Sequence, residues 1–182
     1  MRKAFFFLSI LNDADIEWLA AHGKRKFAPA GTSVITQGES IDAISFLLEG
    51  CLSVTVRGSP KPIATLNPGE VVGEISFVDS RPPSASVTAI ENSHLLQLPL
   101  VAVRNKLNQD AGFAARFYRA IATYLANRLR ATSRMLGYGT GQELEADELD
   151  ESLLDNASIG GVRFDDFLRR VRRSDLGATG MN

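Results

Sequence analysis

The chain has 182 residues, 45% of them hydrophobic and 23% charged, with a formal net charge of −1. That balance suits one globular domain plus an extension, and it excludes whole-surface attraction to nucleic acid or to an anionic membrane. The lone Cys51 excludes an intrachain disulfide and a cysteine metal cluster, and no stretch approaches the roughly 18 apolar residues that span a bilayer.

Met1-Arg2-Lys3 followed by the apolar run from Ala4 to Leu11 has the outline of a secretion signal. The run is short, ends at Asn12-Asp13 and lacks a small-residue cleavage site, so a first helix over 4–24 of a cytoplasmic protein is the better expectation. Ile16, Trp18, Leu19 and Ala20 give that helix an apolar side, and Gly23 gives it a stop.

From residue 26 to 99 the texture changes to short β-prone runs separated by glycine and proline. Strands are expected over 33–36, 43–49, 51–56, 63–66, 84–90 and 93–99, which predicts an antiparallel barrel or sandwich. Pro29-Ala30-Gly31, Gln37-Gly38-Glu39, Glu49-Gly50, Gly58-Ser59-Pro60 and Asn67-Pro68-Gly69 mark the turns. Cys51 reads as a small buried hydrophobe in a strand. His22 and His94 fall on a helix end and in a strand without metal-ligand spacing, and Ser84 and Ser86 have no sequence-readable base. No catalytic or metal site is expected.

The stretch that organises the chain is Val71-Val72-Gly73-Glu74-Ile75-Ser76-Phe77, then Val78-Asp79-Ser80-Arg81-Pro82-Pro83, then Ser84-Ala85-Ser86-Val87-Thr88-Ala89. It reads as a strand end, a glycine turn, one helical turn, a proline-stiffened loop and another strand. Gly73 permits a close backbone approach or φ > 0. Free N–H groups at the start of the helical turn favour an anion, whereas the Glu74 carboxylate calls for ligand hydroxyls. A phosphate next to a sugar hydroxyl satisfies both.

This pattern resembles the phosphate-binding cassette of the cyclic-nucleotide-binding domain family, which includes the catabolite activator protein and the kinase regulatory subunits. Gly73-Glu74-Ile75-Ser76-Phe77 matches the first half of the cassette and Ala85-Ser86-Val87-Thr88-Ala89 the second. The turn spacing, P-x-G before a strand, then Q-G-[DE], then a strand ending in E-G, matches as well, so the resemblance covers about residues 5–136. It implies an α+β fold: an antiparallel β-barrel of jelly-roll type with an N-terminal helix and a long C-terminal dimerisation helix. It also implies that Glu74 holds a ribose 2′-hydroxyl, that the amides of Ile75 and Ser76 hold a phosphate, and that Ser84, Ala85 and Ser86 add phosphate contacts. The family's phosphate-binding arginine aligns with Pro83, and the nearest arginine, Arg81, lies two residues earlier as the candidate replacement.

Residues 111–136 predict a long helix, with Phe113, Phe117, Ile121, Leu125 and Leu129 recurring every four residues. About 26 residues span roughly 39 Å, more than a small barrel covers, so the outer half is expected to pair with a second subunit. By resemblance to the catabolite activator protein, Thr132 and Ser133 are candidate base contacts; the bland alternative is hydroxyls bonded back to their own helix. Arg116, Arg119, Arg128, Arg130 and Arg134, with no acidic residue over 113–136, make either a solvated basic face or contacts to further phosphates and guanine edges.

The division expected is a cyclic-nucleotide-binding-like domain over 1–136 and an acidic linker with a short amphipathic helix over 137–182. Gly137-Tyr138-Gly139-Thr140-Gly141 reads as a hinge and 143–155 as a solvated acidic run. Phe164, Phe167, Leu168 and Val171 beside Arg169, Arg170, Arg172 and Arg173 form a stripe that either docks a partner or folds back. No winged helix-turn-helix follows the long helix, which argues against direct DNA reading. The function implied is a non-enzymatic, dimeric second-messenger receptor acting on a partner protein such as a transcription factor. Cyclic di-GMP is preferred as ligand over cyclic AMP, and no cofactor is needed. The alternative is an interaction module that has lost its ligand, for which Pro83 is the main support.

Overall fold

The computed structural model describes residues 6–59, 61–135 and 151–178. It opens with two short helices, α1 (Phe6–Ile10) and α2 (Asp13–His22), rather than the one expected over 4–24. Asn12 makes the break. Its side chain accepts from the Asp15 N–H at 2.9 Å while the Asp15 carboxylate accepts from the Asn12 N–H at 3.0 Å, a reciprocal cap that starts a new helix. Gly23 ends α2, its N–H bonded to the Leu19 carbonyl.

Eight strands follow among the described residues: β1 (Lys24–Ala28), β2 (Ser33–Ile35), β3 (Ala43–Glu49), β4 (Leu52–Thr55), β5 (Ala64–Leu66), β6 (Val71–Val72), β7 (Ser86–Ala89) and β8 (Ser93–Pro99). All pairings are antiparallel, in two sheets ordered β1-β8-β3-β6 and β2-β7-β4-β5. The six expected strands are present, 43–49 and 93–99 with the expected bounds and the other four with trimmed ends. β1 was not expected, because Lys24, Arg25, Lys26 and Phe27 are all exposed on a sheet edge and show no apolar alternation.

The two sheets enclose a small core containing Leu47, Leu52, Val54, Val72, Val87 and Leu95. A larger core lies between the first sheet and the helices, where Ile44, Phe46, Leu48, Leu96 and Leu98 meet α1, α2 and the helices described below. That sheet is apolar on both faces, which is why 43–49 reads as a nearly continuous hydrophobic run. Cys51 precedes β4 and is half-buried rather than buried. Burial, then the charges of Glu91 and Glu70, raises its thiol pKa.

Between β6 and β7 lies α3 (Glu74–Asp79), and after β8 come α4 (Leu100–Gln109), α5 (Ala111–Met135) and α6 (Glu151–Ala178). α4 was not anticipated; it buries Val103 and Leu107, one turn apart. Asp110 separates α4 from α5 by accepting the Phe113 N–H at 2.8 Å and pairing with Lys106 at 2.9 Å. On α5 the buried side chains are Phe113, Phe117, Ala120, Ile121 and Tyr124, whereas Leu129 is 68% exposed. A four-residue repeat gains about 40° per step on a 3.6-residue helix, so a stripe that begins on the core at Phe113 has wound to the opposite side by Leu129. Arg116 is structural, its guanidinium bonded to both oxygens of the buried Asp15 at 2.6 and 2.9 Å.

α6 folds back onto its own chain. Phe164, Phe167 and Val171 enter the larger core, with the Phe167 ring 5.8 Å from that of Phe46. Arg163 bonds the Leu11 carbonyl, Arg170 bonds Glu17 and Asp166, and Arg172 reaches Glu49. The Gly137–Gly141 hinge and residues 143–150 of the acidic run lie outside the described residues, whereas residues 151–155 of that run are the start of α6, which at 28 residues is longer than the short helix expected.

Candidate functional site

β6 pairs with β3 (Ser45↔Val72, Phe46↔Val71) and delivers the chain to Gly73. Gly73 has φ 88°, and a Cβ there would stand 2.8 Å from Ile41 Cδ1 and 3.1 Å from the Ala43 carbonyl oxygen. Both the left-handed backbone and the lack of space require glycine. The Phe77 N–H returns to the Gly73 carbonyl at 3.0 Å, starting α3, and Ser80 ends it in a second left-handed conformation with φ 58°. The loop back to β7 is tied to the β2–β3 turn: Gly38 N–H donates to the Pro83 carbonyl at 2.9 Å and Gln37 N–H to Ser86 Oγ at 3.0 Å.

These elements surround a pocket of about 70 Å³. Ile35, Val54, Leu66 and Val87 give it an apolar floor from the second sheet. Gly73, Glu74, Ile75 and Ser76 line one side, Pro83, Ser84 and Ala85 another, and Arg128 reaches in from α5. Glu74 is 2% exposed, and its Oε1 accepts from Arg128 Nη1 at 2.7 Å. One turn before Arg128, Tyr124 lies buried with its ring 5.6 Å from the Arg128 guanidinium, and its hydroxyl bonds both the N–H and the carbonyl of Val71. A guanidinium and a phenol one turn apart thereby fasten α5 to the cassette at two points.

Burial pushes the Glu74 carboxyl above its ordinary value, and the Arg128 charge pulls it back without cancelling that rise. For Arg128 burial opposes the charge, but Tyr124, Glu74 and Glu70 outweigh it and hold the guanidinium above its ordinary value. Burial and the Glu74 charge raise the Tyr124 phenol, so it stays protonated and available as a donor.

Gly73, Glu74, Ile75, Ser76, Ser84 and Ala85 are thus brought together at one pocket. Ser86 stands beside it with its hydroxyl engaged by Gln37. Arg81 is exposed, does not line the pocket, and uses its N–H on Asp79. Thr132 is exposed with its hydroxyl donating to the Arg128 carbonyl at 3.0 Å, Ser133 is half-buried, and neither lines the pocket. Arg128 was expected only as one of five arginines on α5 that either face solvent or meet phosphates and guanine edges, and Tyr124 was not expected at the site. Their signal was spacing: 124, 128 and 132 share one face of α5. Of the histidines, His22 stacks on Trp18 and His94 lies against Phe27. No group of side chains that could hold a metal ion occurs among the described residues, and none of their helices is long and apolar enough to cross a membrane.

Residues 25–110 match the family model described as the cyclic nucleotide-binding domain. This part of the chain belongs to that family. Over 127 residues, 66% of its length, the chain is 32% identical to the Pycsar effector protein XpPycTIR of Xanthomonas perforans, the match spanning 38% of that protein. Over 129 residues, 69% of its length, it is 23% identical to the cAMP-activated global transcriptional regulator CRP of Salmonella typhimurium, spanning 60% of it. A solved cyclic nucleotide-binding domain from Methylobacillus flagellatus superposes with a TM-score of 0.66 at 22% identity, over 74% of this chain and 78% of that one. The chain therefore spans only part of these curated relatives, while the barrel and its flanking helices are those of a cyclic nucleotide-binding domain.

Proposed function

We propose that the chain is a non-enzymatic receptor for a 3′,5′-cyclic mononucleotide, and that ligand binding at the cassette repositions α5. The observation that carries this reading is Glu74: a carboxylate 2% exposed at the head of a pocket otherwise lined by apolar side chains, serines and one arginine. A buried carboxylate is costly unless it has donors to accept from. Arg128 already supplies one donor, to Oε1 at 2.7 Å, and a ribose 2′-hydroxyl is a further one.

The volume is consistent with a conformational step. About 70 Å³ is well below the roughly 300 Å³ at which small-molecule sites begin, so a bound nucleotide either extends through the open side of the pocket or displaces a wall. The strand walls are held by ladder hydrogen bonds, whereas Arg128 and α5 are held by side chains. A ligand that favours the moved position shifts the population of α5. Cyclic di-GMP, preferred on resemblance, carries two guanines and two phosphates, whereas the single guanidinium in the pocket lining suits one phosphate and so favours a mononucleotide. Tyr118, Ala122 and Leu129 are exposed on one side of α5 at helical spacing, which supports pairing with a second copy and, through it, signalling to a partner protein. Light scattering of the wild type and of Leu129→Glu tests the pairing: a dimer that becomes a monomer is expected.

The deciding experiment is calorimetric titration with the four 3′,5′-cyclic mononucleotides and with cyclic di-GMP. Micromolar or tighter binding of one mononucleotide, abolished by Glu74→Ala in a folded protein, is expected. The second reading, a ligand-free interaction module, is favoured by Pro83 in the pocket lining and by Glu74 already being paired with Arg128. No heat from any nucleotide would select it.

A further inference from the structure

We propose that Arg128 supplies the positive charge that meets the ligand's phosphate, so that the phosphate is held from α5 rather than from the cassette loop. This inference rests on the receptor reading above and names the residue that decides it.

A cyclic phosphate carries one negative charge, and taking it out of water requires a cation or several donors in the pocket. Among the described residues that line the pocket, Arg128 is the one cationic side chain. The cassette loop offers none. Pro83 occupies the lining position from which an arginine would point, it has no N–H, and its carbonyl is taken by Gly38. Arg81 stands outside the lining.

Arg128 also has the geometry for two partners. A guanidinium carries five N–H donors in a fixed planar fork. Here Nη1 is committed to Glu74 Oε1 at 2.7 Å, and the Tyr124 ring lies 5.6 Å from the guanidinium carbon. In the ligand, the 2′-hydroxyl and the 3′-oxygen of the phosphate ring sit on adjacent ribose carbons. A single carboxylate–guanidinium pair therefore brackets both: Glu74 accepts from the hydroxyl, and the remaining arm of Arg128 donates to a phosphate oxygen. Arg128 keeps Glu74 and gains the phosphate. Tyr124 anchors the same helix one turn away, so any shift of Arg128 towards the phosphate is transmitted to α5 rather than absorbed by a flexible loop.

The test is titration of the full chain with 3′,5′-cyclic AMP, cyclic GMP, cyclic CMP and cyclic UMP, each against wild type, Arg128→Gln, Arg81→Gln and the double variant Arg128→Gln/Pro83→Arg. For whichever nucleotide binds the wild type tightest, Arg128→Gln is expected to weaken binding by about ten- to a hundredfold, the worth of one charge-assisted bond. Arg81→Gln is expected to stay within about twofold. Pro83→Arg, which returns a cation to the cassette loop, is expected to recover about tenfold or more in the Arg128→Gln background. Wild-type affinity in Arg128→Gln overturns the inference. So does a loss that Pro83→Arg does not recover, because the role of Arg128 would then be to position Glu74. A wild type that binds none of the four overturns the receptor reading itself, and with it this inference.

Discussion

The hydroxyl of Tyr124 occupies both backbone groups of Val71, donating to its carbonyl at 3.0 Å and accepting from its N–H at 3.2 Å, across 53 residues of sequence. Val71 begins β6, the two-residue strand that leads into Gly73 and α3. β6 pairs with β3 on one side only and is the edge of its sheet, so the Tyr124 hydroxyl serves backbone groups that no further strand meets. Four residues further along α5, Arg128 makes the second fastening, to Glu74. The cassette is thus held by the helix that its ligand is proposed to move.

Tyr124→Phe keeps the ring and removes the hydroxyl, leaving a buried N–H and carbonyl of Val71 without this partner. Leaving a buried polar group unsatisfied costs about 1–3 kcal/mol. A loss of stability in that range is expected in urea denaturation, with little change in the m-value. A loss below about 0.5 kcal/mol would mean that Val71 finds other partners and that α5 is not fastened here.

Glu74 makes stability depend on pH in a specific direction. Its folded value lies above the ordinary 4.5, chiefly through burial, so the folded state holds this proton more tightly than the unfolded chain does. The stabilisation linked to that proton is fully present below about 4.5 and is lost as pH rises through the folded value. Relative to Glu74→Gln, which has no proton to titrate there, the wild type is expected to gain melting temperature as pH falls from neutrality towards that value. A difference that shrinks instead would mean that the Arg128 charge outweighs burial.

How much of this was legible in the sequence follows from which physics each element depends on. The strands over 43–49 and 93–99 carry their own hydrophobic pattern, and the Gly73–Phe77 turn carries its own backbone chemistry, so both are readable locally. β1 is not, because an edge strand that faces solvent needs only a neighbour, here β8, and no pattern of its own. The break between α1 and α2 was readable: Asn12 followed three residues later by Asp15 is a capping pair, although the apolar residues on either side suggest one helix. The site divides in the same way. Contiguous cassette residues were visible together, whereas the pairing of Arg128 with Glu74 spans 54 residues and depends on how α5 is rotated about its axis. The four-residue stripe from Phe113 to Leu129 gave that rotation wrongly, because it winds off the buried face before it reaches Arg128.

Gly73→Ala tests the turn itself. The residue sits at φ 88° and its new methyl would meet Ile41 Cδ1 at 2.8 Å and the Ala43 carbonyl oxygen at 3.1 Å. A left-handed conformation at a non-glycine residue costs about 1–3 kcal/mol, and the Ala43 carbonyl cannot move aside as a side chain can. A stability loss of at least that size is expected, with nucleotide affinity falling more than stability alone explains, because Glu74 is the next residue. Unchanged affinity in the folded fraction would separate the turn from the site.

Phe167→Ala asks whether α6 is a working part of the fold. Phe167 has no exposed surface and lies in the core with Phe46, whose ring is 5.2 Å from Phe7, which in turn is 5.5 Å from Phe117 of α5. Phe117 stands 5.9 Å from Phe77 of α3, so an unbroken series of rings runs from α6 to the cassette. Truncating a fully buried phenylalanine costs about 3–5 kcal/mol. On the same helix Val162 is 67% exposed, and its change to alanine is expected to stay within about 0.5 kcal/mol. The pair measured together by chemical denaturation separates a docked helix from a loosely attached one, since only a docked α6 makes the two substitutions differ. Because the ring series ends at Phe77, Phe167→Ala is also expected to weaken nucleotide binding, whereas Val162→Ala leaves it unchanged. Equal effects of the two on stability and binding would mean that α6 contributes nothing to the core and that the ring series carries no coupling.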